Sequence, residues 1–284
     1  MIAQKLLNEA IQHKGICVGL DTDLKYIPDH IMNKDVSLSE KMFEFNKQII
    51  DAVYEESACF KVQIAYYEAL GLEGLSAYSR TLKYIKSKQK ISIADIKRGD
   101  IAATAEKYAE AHFSGEFEAD FVTLNAYMGE DAISPFYPYF KSGEKGAFIL
   151  VKTSNPSGVD LQNVKTDDEF IYQLMAKKVA GWGEQFVDES GYSAIGAVVG
   201  LTYPEEIKYI QPIMPHTMFL IPGYGAQGGT GKDLAELFQN GICGIVNSSR
   251  GIIAAHIKNG IEFGFADEAR KAVLAMKEDI GKWL

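Results

Sequence analysis

The sequence predicts an α/β chain of the (β/α)8, or TIM-barrel, class, in one domain over residues 1–284 with an extra helix at each end. Three observations point there. Eight short, near-continuous apolar runs recur along the chain, the mark of strands buried on both faces of a parallel sheet. A stretch of helical pattern follows each run, as successive strand–helix units require. The third run delivers Asp95, Lys97 and Asp100 to its carboxyl end, where parallel α/β proteins usually carry their chemistry.

The strands are expected at 15–21, 59–64, 91–97, 121–125, 147–153, 194–201, 218–222 and 244–249. Between and after them, helical spacing runs over 39–55, 72–88, 101–113, 131–141, 167–189, 204–211, 233–240 and 252–258. Segments 2–13 and 267–283 supply the flanking helices. The third unit is typical: residues 90–96 are β-branched at alternate positions, and Gly99 breaks the run. The helix that follows carries Thr104, Tyr108 and Ala111 at helical spacing. Nothing between the units reads as a linker, a repeat boundary or a low-complexity tract.

Composition narrows the function classes. Hydrophobic content of 47% and charge of 24% are ordinary for a soluble globular protein. A net charge of −9 argues against nucleic acid or a membrane surface as partner, while leaving room for a phosphate in a local pocket of donors. Cys17, Cys59 and Cys243 lie in or beside apolar runs and read as buried free thiols. No Cys/His spacing suggests zinc, so no metal is expected. Residues 1–13 are amphipathic with acidic and polar members, unlike a signal peptide, and no apolar run approaches membrane length. A cytoplasmic protein is expected.

Asp95 and Lys97 are two apart on a strand, so their side chains leave the same face. Asp100 follows around the glycine, where the chain turns into a helix. Lysine between two aspartates keeps its proton, because carboxylates favour the ammonium form. A surface ion-pair cluster is the plain alternative. Against it, Lys61 sits inside another apolar strand, where a lysine needs an acidic partner or a ligand. Two lysines and two aspartates from neighbouring strands would form an alternating, nearly neutral, hydrogen-bonded tetrad.

At these residues the sequence resembles a known family. The run Asp95-Ile96-Lys97-Arg98-Gly99-Asp100-Ile101-Ala102-Ala103-Thr104 is similar to the active-site signature of the orotidine 5′-phosphate decarboxylases, in their longer bacterial form. Further matches run from Asp21 to Arg250, so the resemblance covers most of the chain. It implies that Asp21, at the end of strand one, holds the ribose hydroxyls, which a carboxylate accepts well. It implies that Lys61 bonds the ribose and Asp95. Ser154, in the turn Ser154-Asn155-Pro156-Ser157-Gly158, would read the pyrimidine amide. Asn125 is a further candidate at the end of strand four, although Ala126 replaces the proline that longer members commonly carry there.

The glycine-rich stretch 223–232 imitates two nucleotide loops. Gly223, Gly225 and Gly228 fit G-x-G-x-x-G, yet no acidic residue follows about twenty positions on. Gly231-Lys232 hints at a Walker loop, but Ala226 and Asp233 break the pattern. Loops after strands seven and eight of a barrel usually bind phosphate instead. Gln227 and Arg250 match the family's phosphate-binding glutamine and arginine, the latter a fork suited to phosphate oxygens.

The resemblance thus implies conversion of orotidine 5′-phosphate to uridine 5′-phosphate and CO2 in pyrimidine biosynthesis, without metal or organic cofactor. Lys97 would protonate C6, with Asp95, Asp100 and Lys61 completing the charged array. Asp100 and Thr104 would reach across a homodimer interface to the partner's site. Two rivals stay open at this point. One is a magnesium-dependent decarboxylase or aldolase of the same barrel group acting on a keto-sugar phosphate. The other is a non-catalytic nucleotide-binding barrel.

Overall fold

Continuous apolar runs allow no strand a wet face, and the strands accordingly meet edge to edge until the sheet closes. A computed structural model describes residues 1–202, 204–225, 228–235, 237–239 and 241–284. Among them, eight parallel strands form a closed barrel in sequence order: β1 (Ile16–Gly19), β2 (Cys59–Gln63), β3 (Ile91–Arg98), β4 (Phe121–Leu124), β5 (Gly146–Lys152), β6 (Ile195–Val199), β7 (Phe219–Pro222) and β8 (Gly244–Ser248). β1 pairs with β8 to shut the ring. Every expected strand is present, trimmed or shifted by a few residues.

Inside the barrel, bulk on one strand is matched by its absence on the next. The rings of Phe121 and Phe148 pack at 5.2 Å between centroids. A Cβ on Gly146 would come within 2.4 Å of Phe121, and one on Gly196 within 2.5 Å of Phe148. The two phenylalanines are buried and each contributes about 1.5–3 kcal/mol by leaving water.

The helices follow the same logic on the outside. Helix Leu38–Val53 starts where the Ser37 hydroxyl accepts the Glu40 N–H. It buries Met42, Phe45, Ile49, Ile50 and Val53, one stripe at helical spacing. Gly71–Ser87, Ala102–Phe113, Ile171–Gly183 and Pro204–Ile210 take the expected places, with shorter bounds for the third of these. Two expectations change more. The segment 131–141 is two 3-10 turns and a short helix Tyr137–Lys141, because Pro135 and Pro138 interrupt it. The segment 252–258 is split into Arg250–Ile253 and Ala255–Lys258 where Ala254 leaves helical dihedrals. Of the helix expected at 233–240, only the start is helical among the described residues, as part of Gly231–Leu234, and residues 235 and 237–239 form turns.

Helix Ile2–Gln12 crosses the amino-terminal mouth of the barrel. Its Ile2 N–H bonds the carbonyl of Gly143, ahead of β5. The Gln4 N–H donates to Asp188 ahead of β6, and Glu9 meets Lys90 ahead of β3 at 2.7 Å. The opposite mouth is left for the site. Cys17, Cys59 and Cys243 are buried free thiols, as expected, and burial pushes Cys243 up to about 12. No helix among the described residues is long and apolar enough to cross a membrane.

Candidate active site

The carboxyl mouth of the barrel holds a cavity of about 540 Å3, within the range of small-ligand sites. Asp95, 5% exposed, is among the residues that line it, and each of its carboxylate oxygens takes two donors. Oδ2 accepts from Lys61 Nζ at 2.8 Å and Gln63 Nε2 at 3.0 Å. Oδ1 accepts from Lys97 Nζ at 2.6 Å and Thr123 Oγ1 at 2.8 Å. A buried carboxylate so fully paired stays ionised: burial favours the neutral acid, but the charges of Lys61 and Lys97 outweigh it and hold Asp95 well below the usual carboxylate range.

Lys61 extends the alternation to β1, where Asp21 lies 3.3 Å from its Nζ. Burial would strip the proton from Lys61, yet Asp21 and Asp95 together raise it well above an ordinary lysine. Within this chain the alternating row is therefore Asp21, Lys61, Asp95, Lys97. The lysine in the apolar strand has the acidic partners its burial demands.

A local irregularity aims Lys97. β3 and β4 pair at Ala94↔Val122 and again at Arg98↔Leu124, so four steps on one strand face two on the other. The bulge puts Lys97 at φ +46°, a conformation costly for a side-chain-bearing residue. Its N–H, lost to the ladder, donates to Thr123 Oγ1 at 3.0 Å. One hydroxyl thus supports both the backbone of Lys97 and the carboxylate of Asp95.

Of the expected site residues, Asp21, Lys61, Asp95, Lys97, Ser154 and Arg250 line the cavity. Asp100 does not: its Oδ1 accepts the N–H of Ile101 just before helix Ala102–Phe113. Thr104 is on the exposed surface of that helix. Asn125 lies outside the cavity too, its Oδ1 accepting the Tyr127 N–H in a turn. The loops meet, because a Cβ on Gly99 would fall 2.7 Å from the Asn125 carbonyl. Gln227 lies outside the described residues.

Sequence reading missed Gln63 and Thr123. Gln63 follows Lys61 by the two-residue period of a strand, and so shares its face; that signal was available. Thr123 gave none, since a threonine in an apolar strand is ordinary. Opposite the charged row, Leu150, Val198 and Leu220 present an apolar wall. Among the described residues, no three His, Cys, Asp or Glu side chains converge in a way that could hold a metal ion.

Comparison with known proteins decides the family. A model of the orotidine 5′-phosphate decarboxylase / HUMPS family matches residues 14–259. The chain belongs to that family. An orotidine 5′-phosphate decarboxylase of Clostridium perfringens (strain SM101 / Type A) is 50% identical over 281 residues, covering 99% of this chain and 98% of its own. That of Petrotoga mobilis is 51% identical over 284 residues, with 99% and 98% covered. The structure of Leishmania donovani OMP decarboxylase superposes with a TM-score of 0.75 at 28% identity, covering 98% of this chain and 99% of that one. Family membership accounts for the signature at Asp95–Thr104, and full-length relatives with one name leave neither rival reading favoured.

Proposed function

We propose that this protein decarboxylates orotidine 5′-phosphate to uridine 5′-phosphate and CO2 in pyrimidine biosynthesis. The observation that carries the reading is the row Asp21–Lys61–Asp95–Lys97 at the open mouth, with its last ammonium turned to the cavity. Breaking the bond from C6 to the carboxylate leaves an electron pair on C6, with no adjacent carbonyl to receive it. A fixed positive charge beside C6 stabilises that pair. Lys97 then gives C6 its proton and regains one from water. Asp95 holds Lys97 in place through the 2.6 Å contact.

The remaining roles follow from chemistry and position. Asp21 accepts the ribose hydroxyls, and Lys61 bridges it to Asp95. Ser154 reads the base edge against the apolar wall of Leu150, Val198 and Leu220. Arg250 takes the phosphate, together with Gln227 and the glycine-rich loop after β7. Binding energy from a phosphate remote from C6 can then be used in the transition state. We read the barrel and its two flanking helices as one domain over residues 1–284.

Asp100 and Thr104 stand outside their own cavity, flanking exposed Ile101 in sequence, and the neighbouring loop that Gly99 meets at Asn125 continues into exposed Tyr127 and Met128. Apolar surface beside unused site residues fits a homodimer in which each chain completes the other's site. An absorbance assay with orotidine 5′-phosphate, with and without EDTA, tests the function. Turnover unaffected by EDTA is expected. Failure to turn over this nucleotide, with Mg2+-dependent turnover of a ketose phosphate, would overturn it.

A further inference from the structure

The helix that follows the barrel, Phe265–Gly281, lies beyond the residues matched by the family model. It nevertheless reaches the glycine-rich loop of the site. Asp279 Oδ2 accepts the hydroxyl of Tyr224 at 2.8 Å and the N–H of Gly231 at 2.7 Å. Those two donors sit at either end of the loop. Tyr224 lines the cavity just after β7, and Gly231 opens the short helix after the loop. Gly231 packs so tightly on the helix that a Cβ there would stand 2.7 Å from the Asp279 carbonyl. The two sides of the loop are also tied to each other, with the Gly225 N–H on the Gly229 carbonyl at 2.8 Å and the Gly229 N–H on the Gly223 carbonyl at 3.1 Å.

We infer that Asp279 is a positioning residue for phosphate binding, clamping both ends of this loop from a helix outside the barrel. The physical reason is entropic. Glycine-rich backbone is costly to order, and fixing two of its points before the ligand arrives lowers the cost left for binding. A carboxylate suits the task because one oxygen can accept a hydroxyl and an amide together, in charge-assisted bonds stronger than neutral ones. Asp279 does not touch the ligand in this arrangement. Its effect passes through Tyr224 and Gly231.

The inference rests on the reading that the loop after β7 holds the phosphate, and the test separates the two. Steady-state kinetics would be run with orotidine 5′-phosphate and with the phosphate-free nucleoside orotidine. Asp279→Ala is expected to lose about tenfold in kcat/KM on the nucleotide and nothing on the nucleoside. Asp279→Asn, which keeps the volume and one acceptor, loses less and decides by the same split if the alanine variant does not fold. Tyr224→Phe combined with Asp279→Ala should be no worse on the nucleotide than the poorer single variant, since both break one clamp. Equal losses on both substrates, or none on either, would reduce Asp279 to a packing residue. Arg250→Ala is measured alongside. If it splits the substrates and Asp279→Ala does not, the phosphate reading stands and the clamp falls; if Arg250→Ala fails to split them, both fall.

Discussion

Lys97 Nζ stands 2.6 Å from Asp95 Oδ1, yet the lysine side chain is 45% exposed and the aspartate 7%. The ammonium therefore spans a buried anion and an open cavity. Lys61, as buried as Asp95, neutralises the carboxylate's other oxygen. What remains for a ligand is a positive charge held in position without needing to reorganise, the condition under which electrostatic stabilisation is largest.

Asp95→Asn keeps the shape of the row and removes its central charge. Lys61 would then be buried with Asp21 alone, and breaking such a pair costs about 3–5 kcal/mol. Urea unfolding should report a loss of that order, and the absorbance assay a loss of most activity. Because Asp95 is depressed and Lys61 raised, the stability they supply is whole from about pH 4 to about pH 10, between the ordinary values of the two groups. It declines as pH falls through the Asp95 value or rises through that of Lys61. Activity controlled by the row should accordingly be flat across neutral pH, and a step there in a stable enzyme would count against the assignment.

Arg250→Ala should raise KM for the nucleotide by roughly 10²-fold, if a charge-assisted pair of about 1.5–3 kcal/mol is lost. Turnover of phosphate-free orotidine should hardly change. Equal losses on the two substrates would place Arg250 in another role.

Asp100 and Thr104 give the dimer its test. Subunits carrying Lys97→Ala and subunits carrying Asp100→Ala should each be inactive alone. Mixed and allowed to exchange, they should recover activity, because one site of each heterodimer is wild type at both positions. Proven exchange without recovery would put both residues in one chain's site.

His112 offers a prediction independent of catalysis. It is buried on helix Ala102–Phe113, and burial, aided by the charge of Arg98, lowers it to about 4. The unfolded chain takes up this proton near pH 6.5 while the folded chain refuses it, so stability should fall on acidification from about 6.5 toward 4. The difference amounts to about 3 kcal/mol. His112→Leu should flatten the pH dependence of urea unfolding by one proton over that range. An unchanged slope would mean that His112 titrates normally in the fold.

The barrel was legible because period and repetition carry it: eight apolar runs leave few alternatives once each is followed by a helix. Lys61, Asp95 and Lys97 were legible because buried charge demands partners. The bulge at Lys97 was not, since β3 reads as an unbroken alternating strand and the deviation arises only against β4. Thr123 became meaningful only through its bonds to Asp95 and to the bulged backbone of Lys97. The loss of helix over 131–141 could be read from Pro135 and Pro138, which outweigh the apolar spacing around them. Asp279 was illegible for another reason: its partners Tyr224 and Gly231 lie about fifty residues away in sequence, and nothing in a terminal amphipathic helix announces a reach into the site.

Lys97→Ala tests the proton donor most directly. Decarboxylation of orotidine 5′-phosphate by this variant, followed by absorbance, should fall to background while uridine 5′-phosphate still binds through the phosphate loops. Near wild-type turnover by Lys97→Ala would contradict protonation of C6 by Lys97, whatever the barrel and the phosphate site prove to do.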